Sequence, residues 1–149
     1  MTKPLTPAEK TYLLKLARNS MEQAVRRGTL HYLDLSELSA ALQAPGASFV
    51  TLTRSGALRG CLGTIEPYQP LAEDVREHAV AAALQDYRFP PVQASELGEI
   101  QLEISRLTIP QVLEYSSAED LLEKITPGRD GVILRDGIRR ATFLPQVWQ

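Results

Sequence analysis

The chain has 149 residues, of which 44% are hydrophobic and 23% are charged, and this is the length and balance of one globular domain. Its formal net charge of −2 excludes the strong basic excess that draws proteins to duplex nucleic acid or acidic lipid. The single cysteine cannot form an internal disulfide, which indicates a reducing compartment, and no apolar run has the length of a membrane span. We therefore expect one cytoplasmic domain over residues 1–149, with neither duplex nucleic acid nor a membrane among its partners.

Four helices are predicted from the spacing of apolar residues and from capping residues. The first lies in LTPAEKTYLLKLARNSMEQAVRRG, where Thr6 is the expected N-cap, with Pro7 at the first helical position. Glu9 lies within capping-box reach, and Gly28 has the position of a C-cap. The other three helices are predicted in SELSAALQ, PLAEDVREHAVAAALQD and SAEDLLEKI, residues 36–43, 70–86 and 117–125.

Five strands are predicted, and two tight turns join four of them into hairpins. Ser55-Gly56 connects the first strand to the second, and Asp136-Gly137 connects the fourth to the fifth. The strands are SFVTLTR, ALRGCLGTI, EIQLEISRL, GVILR and IRRATFL, residues 48–54, 57–65, 99–107, 131–135 and 138–144. This order predicts an α+β fold with a mostly antiparallel central sheet, built from hairpins and flanked by helices.

Cys61, the one cysteine, lies in the second predicted strand. With a two-residue turn, Val50 lies opposite Cys61, and Leu52 lies opposite Arg59. A three-residue loop changes these partners, but in either register the period-two alternation places Arg59 and Cys61 on one face. Their Cα atoms are then about 6.5–7 Å apart. A guanidinium at that distance stabilises a thiolate, so Arg59 is expected to tune Cys61.

Small and polar residues around this strand outline a candidate ligand site. Gly60 and Gly63 remove side chains near the sulfur, and we expect them to let a ligand reach the backbone. Thr64 and Glu66 follow and supply polar groups. On the third strand, Glu103 lies on the polar face, for which contact with solvent is the default explanation. In the alternative, it reaches across the sheet to Arg59. It is also the carboxylate that we expect to line the site.

Two interpretations of this site remain open. In the first, the protein is an enzyme in which Cys61 is the nucleophile or redox group and is tuned by Arg59. Glu103 or Glu66 then orients the substrate. In the second, the protein is a binding or adaptor module that presents a rigid hairpin to a small ligand or a protein. The sulfur then only packs, as free cysteines often do.

The two histidines offer no evident base for the thiol. His31 lies in a loop-like stretch, and neither histidine neighbours Cys61 in the sequence. We interpret His78, on the third predicted helix, as a surface or boundary residue. One cysteine and two scattered histidines make no ligand cluster, so no metal and no cofactor is expected.

The run DYRFPP follows the third predicted helix. Its two prolines stiffen a loop, and Asp86 and Arg88 have the spacing to pin that loop in place. In the alternative interpretation, Arg88 faces an anionic ligand.

Four runs resemble, in the same order, the successive motifs of the AMMECR1-domain family: LRGCLGTIEP, AAALQDYRFPPV, LEISRL and GRDGVIL…RRATFLPQVW, within about residues 48–148. The resemblance implies a single α+β domain with a central antiparallel sheet between helices, and it implies no particular reaction. It also implies an association with a Memo-like protein and a radical-SAM protein. The motif suspected of function in the family, LRGC, matches residues 58–61. Family members usually continue past the PQV motif, whereas this chain ends at Gln149.

Overall fold

In the computed structural model, which describes residues 2–145, helices alternate with antiparallel strands along the chain. The chain divides into two units, Met1–Pro110 and Gln111–Gln149, and every candidate site residue lies in the first. The helices are α1 Pro7–Arg27, α2 Ala40–Gln43, α3 Leu71–Leu84 and α4 Ala118–Lys124. The strands are β1 Pro45–Arg54, β2 Ala57–Gly63, β3 Gln69–Pro70, β4 Ile100–Leu107, β5 Val132–Asp136 and β6 Arg139–Phe143.

The α+β prediction is confirmed. In the first unit, β1 is the central strand and pairs antiparallel with β2, β3 and β4. In the second unit, α4 accompanies a two-stranded hairpin of β5 and β6. Within residues 2–145, none of the helices has the length and apolar character needed to cross a bilayer.

Capping residues set the ends of α1 as the sequence predicts. Thr6 Oγ1 accepts a hydrogen bond from the Glu9 N–H at 3.2 Å, and the Glu9 carboxylate accepts one from the Thr6 N–H at 2.8 Å. Gly28 ends the helix with a φ of 70°, in the left-handed region that glycine adopts without strain.

The predicted second helix over residues 36–43 is wrong as one element. A 3₁₀ turn at Leu35–Glu37 comes first, and α2 is a separate single turn. Asp34 caps the 3₁₀ turn through the Ser36 N–H at 2.9 Å, and the extended backbone of Leu38 interrupts the two. Each turn thus has its own N-cap residue, Asp34 for the first and Ser39 for the second, and this favours two short turns over one helix.

The core lies between one face of the sheet and the two long helices. On β1 the side chains of Ser48, Val50 and Leu52 are fully buried, as period-two alternation requires. The apolar residues of α1 and α3 that pack in this core are Leu13, Ala17, Met21, Leu71, Ala72, Val75, Ala79, Ala82 and Ala83. The opposite face of β1 carries Phe49, Thr51 and Thr53, which are only half-buried.

The first hairpin has the predicted turn but a different register. Ser55 and Gly56 both have positive φ, and Arg54 pairs with Ala57. A β-bulge follows, so that Leu52 pairs with Gly60, and Arg59 is the extra residue.

Because of the bulge, the residue pairs predicted across this hairpin are wrong. Cys61 lies opposite Thr51 rather than Val50, and Leu52 does not lie opposite Arg59. Since the extra residue breaks the period-two alternation, the reason for placing Arg59 and Cys61 on one face is lost.

Candidate functional site

Cys61 lies on the sheet face that points away from the core. Its Sγ is 3.3 Å from Thr51 Oγ1, and Thr51 pairs on its other side with Glu103 of β4. Cys61, Thr51 and Glu103 therefore form one row across three strands, and Glu103 is about 10 Å from the cysteine. Within residues 2–145, Thr51 is the one side-chain hydrogen-bond partner of the sulfur.

Arg59 turns to a different carboxylate. Its Nε donates to Glu96 Oε1 at 2.9 Å and its Nη2 donates to Glu96 Oε2 at 3.1 Å, a bidentate pair with little exposure on either side. Arg54 also donates to Glu96 Oε1, at 3.0 Å. Hydrogen bonds from Arg59 are the largest cause that lowers the pKa of Glu96 to about 2. The alternative in which Glu103 reaches this arginine is wrong, because the guanidinium is paired with Glu96.

Glu96 is a charged residue that sequence reasoning missed. It lies in the 3₁₀ turn Ala94–Glu99, where its carboxylate also accepts the Gln93 N–H at 2.7 Å. Arg59 is 37 residues away in the sequence, so no local pattern links the two. The one local signal was the capping-box spacing of Gln93 and Glu96.

The glycines of the motif are sites of close packing. A Cβ built on Gly60 would lie 2.1 Å from the carbonyl oxygen of Ala82 in α3. A Cβ on Gly63 would lie 2.3 Å from the Ser48 carbonyl oxygen. The expectation that these glycines leave open space for a ligand is therefore wrong, because neighbouring backbone fills it.

The side chains of Asp86 and Arg88 hold the edge of β2 at Cys61. Asp86, which is buried, accepts the Cys61 N–H at 2.9 Å. Arg88 donates to Asp86 through Nε at 3.0 Å and Nη2 at 2.7 Å, and its Nη2 lies 3.5 Å from the Cys61 carbonyl oxygen. Arg88 is the main cause that holds the pKa of Asp86 well below its usual range, and the Cys61 N–H adds to it. We call Asp86 and Arg88 the strand clamp, and it realises the interpretation in which these residues pin the loop.

Exposed apolar side chains border the clamp and the hairpin. Tyr87, between the two clamp residues, is 96% exposed, and Leu58 of the LRGC motif is 44% exposed. The Arg88 guanidinium lies over the Phe89 ring, 5.5 Å from its centroid. Glu66, which follows β2, is also exposed.

Beneath the hairpin lies a buried polar cluster of Ser48, Thr64, Asp74 and His78. Ser48 donates to Asp74 Oδ2 at 2.6 Å, and Thr64 donates to Asp74 Oδ1 at 3.1 Å. His78 Nδ1 lies 3.3 Å from Asp74 Oδ2 without meeting hydrogen-bond geometry, and the contact joins opposite charges when the imidazole is protonated. Thr64 thus serves this cluster rather than the thiol.

The interpretation of His78 as a surface or boundary residue is wrong, because His78 is only 6% exposed. Burial opposes its charge, yet the contact with the Asp74 carboxylate outweighs burial and raises the pKa of His78. Burial likewise opposes the charge of Asp74, but its contact with His78 and the hydrogen bonds from Ser48 and Thr64 lower its pKa. The i,i+4 spacing of Asp74 and His78 was the available sequence signal.

The described part of the chain contains no set of side chains suited to bind a metal ion. Across residues 2–145, no three histidine, cysteine, aspartate or glutamate side chains come together as metal ligands do.

Comparison with known proteins gives the family. The AMMECR1 family matches over residues 14–149, and this chain belongs to that family. A protein of Methanothermobacter thermautotrophicus is 40% identical over 144 residues, which cover 97% of this chain and 74% of that protein. Protein MK0488 of Methanopyrus kandleri is 38% identical over 99% of this chain and 72% of its own length. Among solved structures, the uncharacterized protein PH0010 from Pyrococcus horikoshii superposes with a TM-score of 0.81 at 36% identity, over 91% of this chain and 68% of that one.

Proposed function

We propose that this AMMECR1 domain is a binding component that acts together with a Memo-like protein and a radical-SAM protein. Its contact surface is the LRGC hairpin, by which we mean β1 and β2 with the motif at residues 58–61. The family resemblance supports the choice of partners, and the geometry of the hairpin supports the choice of surface.

The observation that carries the proposal is the strand clamp. Asp86 binds the Cys61 N–H, and Arg88 lies beside the Cys61 carbonyl oxygen, so the edge of the strand is held before any partner arrives. A preorganised surface loses less conformational entropy on binding than a mobile one. The clamp therefore suits a recognition surface.

Side chains suited to a protein interface stand next to the held edge. Tyr87 is almost fully exposed on a loop whose turn is closed by the Phe89 N–H donating to the Asp86 carbonyl oxygen at 3.0 Å. Exposed tyrosine on a rigid loop is the kind of residue that dominates binding energy in interfaces. Leu58 adds an exposed apolar side chain from the motif itself.

The enzyme interpretation draws less support from the same geometry. A cysteine nucleophile needs a neighbouring base or a cation to activate it. Arg59, the cation expected for that role, is paired with Glu96. Arg88, the cation beside the Cys61 backbone, is paired with Asp86. The side-chain partner of the sulfur within residues 2–145 is the hydroxyl of Thr51.

The test is a calorimetric titration of the domain with the purified Memo-like and radical-SAM proteins of the same organism. Leu58→Ala and Tyr87→Ala are expected to weaken binding roughly tenfold or more each. Tyr32→Ala is the matched control, because Tyr32 is 90% exposed but lies in the segment after α1.

Three outcomes are informative. Loss of affinity at Leu58 and Tyr87 with the control unchanged supports the proposal. Equal effects of all three variants, or no binding to either protein, contradict it. A thiol-dependent turnover that is abolished by Cys61→Ala would favour the enzyme interpretation instead.

A further inference from the structure

Helix α3 connects the buried polar cluster to the LRGC hairpin. Asp74 lies in its first turn and His78 one turn later, and its last turn places the Ala82 carbonyl oxygen against Gly60. Asp86, which accepts the Cys61 N–H, follows two residues after the helix ends. A helix moves as a unit, so a displacement of α3 has to change the packing on Gly60 or the hydrogen bond to the Cys61 backbone.

The cluster ties this helix to the two strands of the hairpin. Ser48 belongs to β1, and Thr64 directly follows β2 and donates its N–H to the Ser48 carbonyl oxygen at 3.1 Å. Both hydroxyls donate to the one carboxylate of Asp74, which is fully buried. A buried carboxylate is costly unless it is compensated, and here its compensation comes from three segments of the chain at once.

We infer that the cluster is a pH-sensitive lock, which holds α3 firmly against the LRGC hairpin while His78 is charged and loosens it when His78 is neutral. This inference rests on the proposed function, because it describes how the proposed contact surface is regulated. The reason is the 3.3 Å contact of His78 Nδ1 with Asp74 Oδ2, which does not meet hydrogen-bond geometry and whose attraction of opposite charges disappears when the imidazole loses its proton.

The charged groups around His78 also favour its protonated form. Glu77, next to it on α3, is a second carboxylate that favours the charged imidazole. Tyr68, from the segment between β2 and β3, donates to Glu77 at 2.6 Å. The residues that α1 buries are uncharged: Leu13, Ala17, Ser20, Met21 and Ala24. From β1 and the residue after β2, the described partners are the hydroxyls of Ser48 and Thr64.

The pH range follows from the directions of the two pKa shifts. The folded protein raises the pKa of His78 above 6.5, so the stabilisation is complete below pH 6.5 and is lost as pH rises through the folded value. It lowers the pKa of Asp74 below 3.8, so that contribution is complete above pH 3.8 and is lost as pH falls through the folded value. The lock is therefore closed between these limits and opens on the alkaline side.

The experiment follows two NMR signals of the whole chain, without any partner, from about pH 5.5 to about pH 9. One signal is the imidazole of His78 and the other is the backbone amide of Cys61. We expect the amide signal to shift with the same midpoint as the imidazole. That shift should vanish in His78→Gln and persist in His31→Gln, because His31 lies exposed in the segment after α1.

A Cys61 amide that does not respond at the His78 midpoint overturns the inference, and so does an unchanged response in His78→Gln. If His78→Gln does not fold, Ser48→Ala replaces it, since this variant keeps both charges and removes one donor to Asp74. The less compensated carboxylate attracts the imidazolium more strongly, so both midpoints should move together to higher pH. Midpoints that separate would equally refute the lock.

Failure here is distinguishable from failure of the proposed function. The NMR titration contains no partner, so a silent Cys61 amide removes the lock and leaves the calorimetric result standing. Conversely, the lock can operate in a domain that fails to bind either protein.

Discussion

The LRGC motif divides into two halves that the structure uses differently. Arg59 and Gly60 serve the folded core: the arginine is paired with Glu96, and the glycine lies under the Ala82 carbonyl oxygen of α3. Leu58 and Cys61 lie on the other side, where the leucine is exposed and the sulfur meets only a hydroxyl among the described residues. Four consecutive residues therefore share a motif without sharing one role, and the bulge at Arg59 is what separates them.

We call Arg59 and Gly60 the core half of the motif, and Leu58 and Cys61 the exposed half. Breaking the ion pair of the core half should cause the largest loss of stability. Glu96→Ala leaves Arg59 buried beside a lost partner, and removing one member of a buried ion pair costs about 3–5 kcal/mol of unfolding free energy. Urea denaturation measures this loss. Glu99→Ala is the matched control, because Glu99 pairs with Arg54 at an exposed position and should cost less than about 1 kcal/mol.

The pH dependence of the unfolding free energy tests the same Arg59–Glu96 ion pair. The pKa of Glu96 is about 2 in the folded protein, below its unfolded value of 4.5, so its contribution is complete above pH 4.5 and is lost as pH falls towards 2. The acid-induced loss should therefore be smaller in Glu96→Gln than in wild type. Parallel pH profiles for the two proteins would show that Glu96 is not held by Arg59.

Gly60→Ala should have the next largest effect. A methyl group 2.1 Å from the Ala82 carbonyl oxygen meets backbone that cannot rotate away, so α3 must shift. We expect a loss of about 3 kcal/mol in the same denaturation experiment. Gly98→Ala is the control, since a Cβ there meets nothing within 4 Å. Equal stability of the two variants would mean that α3 does not pack closely on the motif.

The exposed half should tolerate substitution. Cys61→Ser is nearly isosteric at a half-buried position, and it keeps a partner in Thr51, so we expect a change within about 1 kcal/mol. Thermal unfolding gives the comparison with wild type. A loss of several kcal/mol would place the sulfur in the core and would end the distinction between the two halves.

The sequence predicted the features that are written locally. Thr6 and Glu9 form the capping box, and the turn at Ser55-Gly56 has two residues. Each depends on residues within four positions of one another, where local chemistry decides the conformation.

The site itself depends on contacts that no local pattern contains. The bulge at Arg59 is one inserted residue, and nothing in the alternation of the strand marks it. The partner of Arg59 lies 37 residues away, and the carboxylate that binds the Cys61 N–H lies 25 residues away. The DYRFPP run was correctly interpreted as pinning a loop, but its second function, holding β2, required the packed structure.

The alkylation rate of Cys61 in wild type and in Arg59→Ala tests the division of the motif most directly. The rate is measured with a small reagent near neutral pH, where both proteins are folded, and is set beside their free energies of unfolding. We predict that Arg59→Ala lowers the free energy of unfolding while the alkylation rate of the folded protein stays within about twofold of wild type. A rate that falls roughly tenfold while stability is unchanged would show that the arginine activates the thiol, and it would contradict the separation of LRGC into a core half and an exposed half.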